Sequence, residues 1–124
     1  MKHIRYSILI AAICCLVFSS CMKQKENRLT GTWTVIPLFT DEIDKTITWT
    51  FYDDGNLVII HTDTLNNSFV DSAFFEIKEK FFKYYVQIDG MAQQQDGSYH
   101  IEKLNKKVLI LQCDEPYARK EFTK

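Results

Sequence analysis

The sequence contains none of the residue constellations that carry common chemistry. No Ser-His-Asp order, phosphate loop or carboxylate pair in a predicted cleft can be drawn from it, so it reads as a non-enzyme without a cofactor. His61 and His100 fall on separate predicted strands with no cysteine or carboxylate at metal-ligand spacing. Asp41, Glu42 and Asp44 come nearest to a calcium loop, but the glycine and further acids of such a loop are missing, and they read as solvated loop charges. Positive charge is not in excess either: 15 Lys and Arg stand against 16 Asp and Glu, which leaves no basic patch for nucleic acid. From Gly31 onward no stretch carries a helical stripe, and the apolar run near the start falls short of the roughly 20 residues that cross a bilayer.

That short run is nevertheless the most legible part of the chain. Met1-Lys2-His3-Ile4-Arg5 carries two fixed positive charges, Tyr6 to Phe18 is almost wholly apolar, and Ser19-Ser20-Cys21 follows. A charged start, an apolar core and small residues at a cleavage point make a secretion signal over 1–20. Val17-Phe18-Ser19-Ser20-Cys21 resembles the lipobox of bacterial lipoproteins, which implies cleavage before Cys21 and a diacylglycerol on its thiol. The implied partner is the membrane, through lipid on Cys21. Met22 is not the aspartate that retains such proteins at the inner membrane, so the expected site is the outer membrane. No acidic run of the kind that marks surface export follows Cys21, so the expected face is the periplasmic one. Cys14 and Cys15 depart with the signal, and Cys113 alone remains free. The folded part then has no internal disulfide and depends on its core. Leu109 and Leu111 mark Cys113 as a small packed side chain and not a reactive thiol.

Removing 20 of the 124 residues leaves one domain. Residues 21–28, polar and without apolar periodicity, read as a tether, and 29–124 as a single β domain. Thr46 to Tyr52 alternates apolar and hydroxyl side chains, Asp53-Asp54-Gly55-Asn56 is a turn cluster, and Leu57 to Asp63 returns. Further strands are expected at Thr32–Ile36, Phe69–Ile77, Phe81–Ile88, Ser98–Lys103, Lys107–Cys113 and Tyr117–Thr123. The turns between them are expected at Leu65–Ser68, Lys78–Lys80, a loop Gln93–Gly97, Leu104–Lys106 and Asp114–Pro116. About eight short strands joined by tight turns predict an antiparallel up-and-down barrel, either filled by side chains or wide enough for one small ligand.

Leu29-Thr30-Gly31-Thr32-Trp33 resembles the Gly-x-Trp motif that opens lipocalins, and Trp49-x-Phe51-x-x-Asp54-Gly55 resembles the second-strand hairpin of small lipocalin-like lipoproteins of Gram-negative envelopes. Tyr99-x-Ile101-x-x-Leu104, Leu109-x-Leu111 and the ending Lys120-Glu121-Phe122-x-Lys124 continue the likeness, while the Thr-Asp-Tyr motif of lipocalins is absent. The resemblance implies a lipocalin-like barrel whose floor is built from Gly31 and Trp33, with Arg119 of the last strand stacked across the tryptophan. It also implies a possible small apolar ligand. The aromatic residues Trp49, Phe51, Phe74, Phe75 and Tyr84 are the candidate ligand contacts. Two functions are therefore expected to compete. One is an envelope-anchored module that binds a small hydrophobic ligand or a peptide; the other is a non-catalytic interaction lipoprotein with a filled barrel. An open interior ringed by Trp49 would favour the first, and a packed one the second.

Overall fold

The computed structural model describes residues 2–40, 43–90, 96–114 and 117–124. One helix, α1 (Lys2–Leu29), precedes the strands β1 (Gly31–Ile36), β2 (Lys45–Phe51), β3 (Asn56–Asp63), β4 (Ser68–Lys80), β5 (Lys83–Asp89), β6 (Gly97–Leu104), β7 (Val108–Asp114) and β8 (Tyr117–Thr123). Each strand pairs antiparallel with its sequence neighbours, and β1 also pairs with β8, where Val35 lies opposite Phe122. The result is the closed eight-stranded up-and-down barrel that the strand and turn pattern predicts, with its seam between β1 and β8 running from Thr34↔Thr123 to Ile36↔Glu121.

Period-two alternation builds the interior. Trp49 and Phe51 on β2, Leu57 and Ile59 on β3, Val86 and Ile88 on β5, and Leu109 and Leu111 on β7 all point inward and are buried. Their alternate neighbours form the outer wall. In β6 a bulge at Glu102 separates the pairs Ile101↔Leu111 and Lys103↔Ile110, so Ile101 and Leu104, three residues apart, both face the core.

The barrel has a base and a rim. At the base lie the end of α1, the β2–β3, β4–β5 and β6–β7 turns, and the C-terminus; the remaining connections form the rim. Side-chain oxygens close three of these turns, two at the base and one at the rim, in the manner expected of Asp and Asn. Asp54 Oδ1 accepts from the Asn56 amide at 3.0 Å, and Asn105 Oδ1 accepts from the Lys107 and Val108 amides at 2.8 Å. On the rim, Asp63 Oδ1 accepts from the Leu65 and Asn67 amides at 2.9 Å.

Four sequence expectations are revised. Residues 22–28 are not an irregular tether: they continue α1 without a break. Met22 and Leu29 stand two helical turns apart, hence on one face, and both pack against the barrel core. Lys78-Glu79-Lys80 is not a turn but the end of β4, because Ile77, Glu79 and the strand beyond remain in register with Val86 and Tyr84. The reversal falls instead on Phe81 and Phe82, a two-residue hairpin with φ of 52° and 64°. Leu104 is a buried strand residue and the turn after it starts at Asn105. Gly97, assigned to a loop, opens β6. Asp41 and Glu42 of the possible calcium loop, residues 93–95 of the expected loop, and Glu115 and Pro116 of the last turn lie outside the described residues; Asp44 is exposed in the turn before β2.

Candidate functional site

The floor of the barrel is assembled where α1 meets β1. Gly31 has φ +128°, a backbone conformation that L side chains rarely adopt, and a Cβ there would come within 2.8 Å of Lys124 Nζ. A glycine at this position lets the chain turn from the helix into β1 and leaves space for the C-terminal lysine. Trp33 is fully buried two residues on, and its indole N–H donates to the Leu29 carbonyl at 2.7 Å. That bond satisfies one of the helix's unpaired terminal carbonyls, so the same ring closes the barrel and ties down α1.

The cation across this ring is Lys124, not Arg119. Lys124 Nζ sits 4.7 Å from the Trp33 ring centroid and donates to the Thr30 carbonyl at 3.0 Å. Arg119 is three residues from the inward-facing Phe122 along an extended strand, which puts it on the outer wall. There it is paired with Glu121 and with Glu102 at the β6 bulge. Both carboxylates, Glu121 first, hold the guanidinium more firmly in its charged form.

The five candidate ligand contacts do not form one surface. Trp49, Phe51 and Phe75 come together inside the barrel: Trp49 meets Phe122 edge-on at 5.1 Å, and Phe51 meets Phe75 at 5.0 Å with an interplanar angle of 88°. Phe74 points the other way and is exposed. Tyr84 faces inward at the base, half-buried, under Lys25 of α1, whose Nζ lies 5.2 Å from the ring centroid. Burial first, then Glu79 and Cys21, pushes the Tyr84 phenol above its ordinary pKa. Higher in the barrel, burial pushes Tyr99 up to about 12, with Cys113 and Asp96 adding to the effect.

Two depressions of mixed lining open at the ends of the barrel. A cleft of about 310 Å³ at the base is lined by Lys23, Glu26, Asn27, Tyr52, Asp53 and Phe75, among others, and an open hollow of about 350 Å³ at the rim includes Lys45, His61, Asp63 and Phe69. His61 lies against Phe69 and His100 against Tyr85. Among the described residues no three His, Cys, Asp or Glu side chains cluster as metal ligands would. Cys113 faces inward, half-buried against the core.

The first part of α1 stands apart from the barrel. Its apolar side chains, including Ile4, Ile8, Leu9, Ile10 and Leu16, are exposed. By length and composition the helix is able to cross a membrane, a test that a secretion signal also passes. Cys21 is exposed on the helix, next to Met22, which touches the core. Sequence reasoning missed the roles of Lys124, Met22 and Leu29; the seven-residue spacing of the last two was the available signal. No protein-family model, curated protein or solved structure matches this chain.

Proposed function

We propose that this protein is a lipocalin-like envelope lipoprotein, anchored through lipid on Cys21, whose filled, non-catalytic barrel docks on another component of the envelope. One observation carries the choice between docking and small-ligand carriage. Trp33, Trp49, Phe51 and Phe122, with Leu57, Ile59, Val86, Ile88, Leu109 and Leu111, are each at most 1% exposed inside the barrel. A lipophilic ligand would need the space that these side chains occupy. The anchor reading is supported by the change in side-chain environment along the unbroken α1, whose apolar residues before Cys21 are exposed while Met22 and Leu29 after it reach the core. Cleavage before Cys21 would discard the exposed apolar turns and keep Met22 and Leu29 on the core.

Intact-mass analysis of the protein isolated from bacterial membranes tests the anchor. The expected species begins at Cys21 and carries acyl mass, and Cys21→Ser removes that mass. A soluble species with no added mass would reject the proposal. Sedimentation of the two membranes on a density gradient is expected to place the protein with the outer membrane, and proteolysis of intact cells to leave it uncut on the periplasmic face.

A further inference from the structure

Phe81 and Phe82 form the tip of the β4–β5 hairpin, 83% and 92% exposed, and both have positive φ. A two-residue turn of this hand suits Asn-Gly, because a Cβ crowds the backbone there. Two phenylalanines therefore strain the turn and leave two rings in water without any contact to the core. Nothing in the packing of the barrel requires that choice.

The surroundings of the tip identify what would cover it. From Glu76 to Lys83 the chain carries Lys78, Lys80 and Lys83 against Glu76 and Glu79; Glu76 lies 4.0 Å from Lys78, and Lys80 and Lys83 flank the tip directly. Lys80 Nζ lies 5.8 Å from the Phe81 ring centroid. Rings at the apex with lysines behind them match a phospholipid interface, where aromatic groups enter the headgroup boundary and ammonium groups remain at anionic headgroups. Position adds a second, independent observation. Tyr84, two residues past the tip, lies under Lys25 of α1, and Cys21 is one helical turn before Lys25. Cys21, the proposed point of attachment, and the exposed rings thus share the base of the barrel.

We propose that the Phe81–Phe82 tip is a second membrane contact, inserting its rings into the interface of an anionic bilayer beside the N-terminal anchor. This rests on the proposed membrane attachment and names the envelope component on which the base docks. Two-point contact would hold the barrel base-down on the lipid and turn its rim, with the His61 and Asp63 hollow, away from the membrane.

The test uses Phe82→Trp protein purified from membranes with its own anchor. It is reconstituted into phosphatidylglycerol and phosphatidylethanolamine vesicles brominated near the headgroup end of the acyl chains. Trp33 and Trp49 are buried, so the parent protein supplies the background. The expected result is flotation with the vesicles, a blue shift of the added emission, and loss of most of it to bromine. Flotation with an unshifted, unquenched added emission would overturn the tip contact and leave the anchor intact. A blue shift without quenching would overturn it in favour of a protein partner or a second copy. Failure to float would overturn both the anchor and the contact.

Discussion

At the scale of single residues, the cation over Trp33 illustrates how near and how far sequence reasoning reaches. The resemblance to lipocalins assigns Arg119 of the last strand to stack across this ring. Strand parity decides otherwise, because Arg119 shares the outer face with Glu121 while Lys124, beyond the end of β8, folds back over the floor. Trp33→Ala is expected to cost about 3–5 kcal/mol, and Lys124→Ala about 0.5–1 kcal/mol. Urea unfolding of a double-mutant cycle should show coupling between Trp33 and Lys124 and additive effects for Trp33 with Arg119. The turn carboxylates offer a second measurement at this scale. Amide hydrogen bonds hold Asp54 and Asp63 below their ordinary value of 3.8, Asn56 being the main cause for the first and Asn67 for the second. A depressed folded pKa means stability that is fully present above 3.8 and is lost as pH falls through the folded value. Thermal midpoints of Asp54→Asn/Asp63→Asn should therefore fall less than those of the parent protein across this acid range.

At the scale of elements, the β4–β5 hairpin shows a local rule giving way. Gly, Asn and Pro are absent from residues 76–83, so the charged Lys78-Glu79-Lys80 offered the only turn signal. The register of Glu79 with Tyr84 and Lys80 with Lys83 carries both strands past it to the phenylalanines. Phe81→Asn/Phe82→Gly should relieve the strained backbone and stabilise the protein by about 1–2 kcal/mol, seen as a higher thermal midpoint. An unchanged or lower midpoint would show that the rings stabilise the fold. The end of α1 is a comparable case. Lys23, Gln24, Lys25 and Glu26 are all good helix formers, but a polar surface hides the short face made by Met22 and Leu29. That face acquires meaning only with the barrel base beneath it.

At the scale of the whole molecule, closure and filling are linked. Eight strands enclose an interior that large rings occupy, and the packing of Trp49 against Phe122 joins the second strand to the last across that space. Trp49→Ala should cost about 3–5 kcal/mol and open an apolar cavity in its place. Such cavities stay dry and accept small apolar molecules. Benzene is therefore expected to raise the thermal midpoint of this variant, with no comparable rise in the parent protein. A comparable rise in the parent would point to an existing cavity and favour small-ligand carriage.

The sequence by itself determined the class of fold and the general character of the first 21 residues. Alternation with period two and Asp, Asn and Gly at turns are short-range signals, and antiparallel neighbours joined by tight turns leave few topologies to choose among. A charged start followed by an apolar run is likewise readable without any partner. The tertiary structure alone decided that the barrel is filled, that Lys124 and not Arg119 covers Trp33, and that α1 packs beneath the base as far as Leu29. These depend on contacts between residues as far apart as Thr30 and Lys124. No local periodicity encodes such meetings; strand parity, register and available space settle them only once the sheet has closed.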